Sequence, residues 1–222
     1  MNDLNTVEGF LKDVCAFLKK EDFHLNDSNS DGRINSSLDE DTVLDILTEK
    51  YSDYIEKMPP RSWCDFKHIP TNEPINFKST SKLSSDNACN YLSLVHALTD
   101  IKFDDSRKPN STKDKKELLT WLSSYRYWKK DDSYDNGRDY WFLVVNKNNT
   151  SDVCYNSVKS LEKITPNPSN PPFQINWGCN NNRKKRTFCE SVDFIFETVS
   201  LTIQKQYENL CYDLVLEIKN DK

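Results

Sequence analysis

The chain has 222 residues but only four glycines, and it contains no long run of apolar residues. A transmembrane helix needs about 20 consecutive apolar residues, whereas the longest apolar run, residues 140–145, has the length of one strand. The first residues lack the basic and apolar regions of a signal peptide, and the seven cysteines include no Cys-x-x-Cys pair. We therefore expect a reduced, cytoplasmic protein that does not enter a membrane.

Positive charge is also scarce, because the formal net charge is -5 and the sequence pI is about 5.3. This sign excludes a protein that coats nucleic acid regardless of sequence, although it permits a local basic patch. With three histidines and no glycine-rich loop, the chain offers no Ser/His/Asp triad, zinc site or phosphate-binding loop.

The residues that are present predict a folded α/β protein. Hydrophobic residues make up 36% and aromatic residues 12% of the chain, which supplies enough large apolar surface for a core. Apolar residues at helical spacing alternate along the chain with short β-like runs. We predict one domain over residues 1–222, with a central mixed β-sheet flanked by helices and an N-terminal helix and loop over residues 1–30.

One polar segment resembles the start of an EF-hand or dockerin calcium loop. Residues 27–38 place oxygen ligands at the first, third and fifth positions and Gly32 at the sixth. The twelfth position should supply a carboxylate, but it is Leu38, and acidic residues follow only at Asp39 and Glu40. A calcium-stabilised binding module is one alternative for this chain, and a polar loop leading to a helix capped by Ser36 or Ser37 is the other.

The second constellation combines Asp65 with Asn76 and Lys78. These residues lie in two β-like runs separated by a turn around residues 70–73, and they can converge on one face of a hairpin because side chains two apart on a strand point the same way. Two oxygen ligands beside an ammonium suit phosphodiester hydrolysis with a hard cation such as Mg²⁺. A hairpin with charged residues on its solvated face would produce the same spacing.

The hairpin resembles the signature of the PD-(D/E)xK nuclease superfamily. The wider pattern is similar to type II restriction endonucleases, in particular the NgoBV/NlaIV branch, whose members read GGNNCC. The strings that carry this resemblance are residues 32–36, 61–66, 74–79, 86–88, 97–99, 139–147, 152–153 and 166–177.

The resemblance implies Mg²⁺ as cofactor and a role for each site residue. Asp65 would be the bridging metal ligand, Asn76 a neutral ligand, Lys78 the residue that orients the attacking water, and Glu40 a helix carboxylate that completes the metal shell. Asn76 replaces the second acidic residue of the signature, which leaves one negative ligand fewer. For Glu40 the residues alone also allow a carboxylate in the first turn of a helix, favoured there by the helix dipole.

Sequence reading is expected from residues 163–186. This segment is rich in side chains that can contact base edges or phosphates. The predicted DNA-binding residues are Gln174, Asn176, Asn180, Asn182, Arg183, Lys184, Lys185 and Arg186, together with Asn35, Ser79 and Lys82 nearer the metal site.

These observations predict a type II restriction endonuclease that cleaves double-stranded DNA at a specific sequence with Mg²⁺. Cutting both strands implies a homodimer, and restriction implies a cognate DNA methyltransferase as functional partner. The other alternative, besides the calcium module, is a catalytically inactive nuclease fold that only binds DNA, because Asn76 departs from the signature.

Overall fold

The computed structural model describes residues 3–25, 32–80, 85–87, 89–128 and 133–220. Five α-helices and one short 3-10 helix, η1, lie in this part of the chain. They are α1 (Val7–Leu18), α2 (Gly32–Tyr51), α3 (Tyr91–Leu98), α4 (Ser111–Trp128), η1 (Val158–Ser160) and α5 (Phe188–Asn220).

The described residues also form eight β-strands, which divide into two sheets. The strands are β1 (Ile55–Lys57), β2 (Phe66–His68), β3 (Glu73–Thr80), β4 (Ser85–Asn87), β5 (Trp141–Asn146), β6 (Asn149–Ser157), β7 (Ile164–Pro166) and β8 (Phe173–Asn176). The larger sheet has the order β1-β2-β3-β5-β6, and only the β3–β5 pair is parallel. The predicted α/β class with a central mixed sheet is confirmed.

Alternation along the central strands buries both faces of the larger sheet. Ile75 and Phe77 of β3 join a hydrophobic cluster with residues of α1 and α2 on one face. Phe142 and Val144 of β5 belong to a second cluster, with residues of α3, α4 and α5, on the opposite face. Because side chains two apart on a strand share a face, Asn76 and Lys78, which pair with Phe142 and Val144, lie on the second face.

The smaller sheet has the order β4-β8-β7, with antiparallel pairing throughout. Its apolar residues Ile164, Phe173 and Ile175 belong to the cluster on the α3 and α5 side. Strand β4 begins soon after β3 ends, so this sheet is connected directly to the strand that carries Asn76 and Lys78.

Two predicted boundaries are wrong. Helix α2 starts at Gly32, so Ser36 and Ser37 lie inside it and Glu40 falls in its third turn rather than its first. The sequence also predicts a charged loop over residues 104–116, but helix α4 starts at Ser111. The side chain of Asn110 accepts a hydrogen bond from the backbone N–H of Lys113 at 3.0 Å, which is the geometry of a helix cap.

Within the described residues, none of the helices combines the length and the apolar character that crossing a membrane would require.

Candidate active site

The β2–β3 hairpin forms as predicted and brings Asp65 beside β3. Strands β2 and β3 are antiparallel, with Phe66 opposite Ile75. The backbone N–H of Asp65 donates to the carbonyl oxygen of Ile75 at 3.1 Å, and the N–H of Phe77 donates to Oδ2 of Asp65 at 2.7 Å. The Asp65 carboxylate is therefore held on the backbone between the positions of Asn76 and Lys78.

Asn76 contributes a buried oxygen that the described protein leaves unsatisfied. Its Oδ1 is shielded from solvent and has no hydrogen-bond partner among the described residues. A buried polar oxygen without a partner costs about 1–3 kcal/mol, so such atoms usually meet a water or an ion. An amide oxygen in this condition next to a carboxylate suits a ligand that supplies positive charge.

Glu40 reaches the same place from helix α2, where burial and the negative charge of Asp65 raise its pKa to about 7. The positive charge of Lys78 acts in the opposite direction. Burial also raises the pKa of Asp65 to about 6, against the stabilising effects of Lys78 and of the Phe77 N–H. The structure thus brings together Glu40, Asp65 and Lys78, and it places Asn76 next to Phe77, whose N–H binds the Asp65 carboxylate.

Asp39, the residue preceding Glu40, attaches helix α2 to strand β3. Asp39 is fully buried, its Oδ2 accepts a hydrogen bond from Ser79 Oγ at 2.7 Å, and the same oxygen lies 3.3 Å from Lys147 Nζ. The N–H of Lys147 also donates to the carbonyl oxygen of Thr80 at 3.0 Å. Asp39 therefore joins α2 to β3 at Ser79, and Glu40, the next residue of α2, lies close enough for the charge of Lys78 to act on it.

Asp86 is another acidic residue near Lys78. Burial raises its pKa, while the Thr80 hydroxyl and the charges of Lys78 and Lys147 lower it. Sequence reasoning missed Asp39, Lys147 and Asp86, because their contacts join segments that lie far apart in the chain. The sequence offers only a weak indication for Asp39, namely that it directly precedes Glu40, a predicted site residue.

The oxygen atoms at this site suit one hard cation that is held by few charged ligands. Among the described residues, no group of three or more His, Cys, Asp or Glu side chains is arranged to hold a metal ion. The site offers instead the carboxylates of Glu40 and Asp65, together with the unsatisfied Oδ1 of Asn76, the residue before the Phe77 whose N–H binds Asp65. Mg²⁺ commonly takes one or two protein carboxylates and keeps several waters, so these three oxygens meet its requirements.

Several predicted DNA-binding residues are occupied by contacts within the protein. Asn180 is fully buried, and its amide bonds the backbone of Glu162, Lys163 and Asn176. It therefore has a structural role and does not present its side chain to DNA. Nothing in the run of three asparagines at residues 180–182 indicates that the first of them is buried.

The two arginines of the basic run are also held by the protein. Arg183 Nη1 lies 2.6 Å from Oε1 of Glu8, and its guanidinium lies 4.9 Å from the ring centroid of Trp141. Arg186 donates to the carbonyl oxygen of Leu161 at 2.6 Å and stacks 4.0 Å from the ring centroid of Phe194. Both side chains stay partly exposed, but their guanidinium groups are engaged in contacts within the protein.

The remaining predicted contacts differ in accessibility. Lys184, Lys185 and Asn182 are exposed, whereas Gln174 and Asn176 are half-buried on β8. Asn35 is buried and Ser79 is bonded to Asp39, so neither side chain is free to contact DNA. Lys82 lies outside the described residues.

The predicted calcium segment lies partly outside the described residues, which resume at Gly32. From Gly32 onward the backbone is already helical. A calcium loop of this type needs twelve loop residues, so the helical conformation from its sixth position differs from the one that calcium binding requires.

A scan against models of protein families found no match to the chain, and a search of curated proteins found no relative.

Proposed function

We propose that the protein is a type II restriction endonuclease, which hydrolyses double-stranded DNA at a specific sequence with Mg²⁺. The observation that carries this proposal is the electrostatic proximity of Glu40, Asp65 and Lys78, with the buried, unsatisfied oxygen of Asn76 on the same strand as Lys78. The resemblance of the hairpin to the PD-(D/E)xK signature supports the same reaction.

The side chains divide the work of phosphodiester hydrolysis. Bound Mg²⁺ would polarise the scissile phosphate and stabilise the charge that develops on it. Glu40, Asp65 and Asn76 would hold the ion through three oxygens from two different elements, α2 and the hairpin. Lys78, two residues from Asn76 on the same strand face, would hold the attacking water in line with the phosphorus and donate hydrogen bonds to a phosphate oxygen.

Whether the protein is an active enzyme or an inactive nuclease fold depends on whether the neutral Asn76 can serve as a metal ligand. A neutral amide binds Mg²⁺ less strongly than a carboxylate would, but it avoids placing a third negative charge beside Glu40 and Asp65. Those two carboxyls already have raised pKa values. We therefore propose that Asn76 permits catalysis at one metal ion and disfavours a second.

The proposal extends to partners and location. A homodimer would supply one active site for each DNA strand, with the two-fold axis of the protein on that of the DNA. The enzyme would work in the cytoplasm beside a cognate methyltransferase that protects the cell's own DNA. The exposed Lys184 and Lys185 would contact phosphates.

Digestion of a plasmid of known sequence tests the function. We expect discrete fragments with Mg²⁺ and none with a chelator, and the sequenced ends should share one motif. Glu40→Gln should remove cleavage, whereas Asp45→Asn on the same helix should retain it, because Asp45 is exposed at the surface. No cleavage by the folded wild-type protein, with DNA binding intact, would favour the inactive nuclease fold.

A further inference from the structure

The smaller sheet has one apolar face and one polar face, set by the register of its three strands. Ile175 pairs with Asp86 on β4 and with Ile164 on β7, and these residues point toward the core side, where both isoleucines are buried. Gln174 and Asn176 point the other way, because neighbouring residues of a strand alternate between faces.

The outer face carries only uncharged hydrogen-bonding side chains. Gln174 lies opposite Asn87 on β4 and Thr165 on β7, and Asn176 lies opposite Ser85. Ser85, Asn87 and Thr165 are exposed, and the two β8 residues are half-buried. The three strands contain no lysine or arginine. This surface, which we call the amide face, consists of Ser85, Asn87, Thr165, Gln174 and Asn176.

Contacts within the protein orient two of these amides. Oδ1 of Asn87 accepts a hydrogen bond from Nδ2 of the buried Asn167 at 2.9 Å, and Oδ1 of Asn176 accepts one from the N–H of Gly178 at 2.9 Å. In each case the oxygen is used and the NH₂ group remains as the available donor. Gln174 makes no side-chain hydrogen bond with a described residue, so its donor and its acceptor are both available.

The opposite face of the same sheet adjoins the candidate active site. Asp86 bonds to the Thr80 hydroxyl and feels the charge of Lys78, while its neighbours Ser85 and Asn87 belong to the amide face. Strand β4 is an edge strand of this sheet, so Ser85 and Asn87 lie at the edge that adjoins the site. A duplex whose phosphate reaches Lys78 would pass this edge and could present its base edges to the amide face.

We propose that the amide face enters the major groove and reads bases there, with Gln174 contacting an adenine. A glutamine with both ends free forms a bidentate pair with N6 and N7 of adenine, whereas bidentate recognition of guanine uses arginine or lysine. Asn87 and Asn176 would donate to single acceptors, and Ser85 and Thr165 would contact neighbouring bases. This inference rests on the proposed function, and it predicts an adenine in the recognition sequence, which departs from the GGNNCC site of the branch that the chain resembles.

Selection of duplexes from a random-sequence library tests the inference through binding rather than cleavage. The full chain with Lys78→Met, bound in Mg²⁺, should select duplexes that share a motif containing adenine. Adding Gln174→Ala should reduce discrimination at that adenine by about 5- to 150-fold. Gln204→Ala, which removes an exposed glutamine of α5, should leave the motif unchanged.

The outcomes separate the inference from the function on which it rests. An unchanged adenine preference in the Gln174→Ala protein, or a motif without adenine, would overturn the inference even if the wild-type enzyme cleaves DNA. A selected adenine that disappears with Gln174→Ala would support it, including in a protein whose wild-type form proves unable to cleave.

Discussion

Two carboxyl groups of the candidate site hold protons close to neutral pH. Burial, together with the charge of Asp65, raises the pKa of Glu40 to about 7, and burial raises that of Asp65 to about 6. Both must lose their protons before they can hold a metal ion. In the absence of metal, the repulsion between them makes the fully ionised site unfavourable.

The first prediction concerns the pH dependence of Mg²⁺ binding. As the pH falls through 7 and then 6, Glu40 and Asp65 take up protons that compete with Mg²⁺, so the apparent affinity should decrease at least several-fold between pH 8 and pH 6. Calorimetric titration with Mg²⁺ at both values measures this. An affinity that does not change over this range would mean that these carboxyls are not the ligands.

The same pKa values set the sign of a stability effect in metal-free protein. Because the folded state binds more protons than the unfolded state between about pH 4 and 7, stability should decrease as the pH rises through this window and then level off. The double substitution Glu40→Gln and Asp65→Asn should remove this component, worth on the order of 1–2 kcal/mol after screening at the partly exposed Glu40. Urea unfolding at pH 5 and pH 8 compares the two proteins.

Asn76 provides the third prediction at this scale. Asn76→Asp should preserve or increase Mg²⁺ affinity at pH 8, because it adds a charged oxygen to the ligand set. The metal-free protein should become less stable, since a third carboxylate joins a site that already holds protons. A variant that binds Mg²⁺ but loses all cleavage would show that Asn76 acts in some way other than metal ligation.

At the scale of elements, the position of α2 against β3 depends on one buried carboxylate. Asp39 contacts Ser79 on β3 and Lys147, which directly follows β5. Glu40 is the next residue of α2. Loss of this attachment should displace Glu40 from Asp65 without removing any proposed metal ligand. A displacement of about 1 Å can cost about 100-fold in rate.

Asp39→Asn therefore should reduce the cleavage rate at least tenfold and weaken Mg²⁺ binding. The matched control is Asp114→Asn in α4, because Asp114 is also fully buried and is paired with Arg107. It should lower the melting temperature by a similar amount while Mg²⁺ affinity stays at the wild-type value. Equal effects of the two variants on Mg²⁺ affinity would reduce Asp39 to a purely structural role.

Local patterns predicted those elements whose contacts are close in sequence. The β2–β3 hairpin depends on a short turn and alternating residues, so its pairing and the position of Asp65 beside β3 followed from the sequence. The start of α2 and the fate of Asn180 did not, because they depend on tertiary contacts. A buried asparagine that bonds three backbone segments looks the same in sequence as an exposed one.

At the scale of the whole molecule, the larger sheet separates two hydrophobic clusters and carries Asn76 and Lys78 of the candidate site on its parallel pair. The mixture of helix-period and strand-period segments was enough to predict this class of fold. The amide face, which we propose contacts DNA, was predictable only in part, through Gln174 and Asn176. The sequence pointed to a single segment, whereas the amide face joins β4, β7 and β8, which only the sheet pairing brings together.

One chain carries one candidate site, so cleavage of both strands in a single encounter requires two chains. We expect analytical sedimentation to show a dimer on cognate duplex, and a monomer both free and on DNA would contradict this expectation. The control is a duplex of scrambled sequence, on which the specific dimer should not assemble at the same protein concentration.

The central claim is that Asp65 and Lys78 act together on a DNA phosphate. Single-turnover cleavage of a plasmid in Mg²⁺ tests it most directly, with Asp65→Asn and Lys78→Met compared against Asp53→Asn and Lys116→Met, which change the same residue types at exposed positions elsewhere. We predict that the first two variants lose cleavage at least 1,000-fold while they remain folded and bind DNA, and that the two controls cleave at the wild-type rate. Wild-type cleavage by either folded site variant would contradict the account.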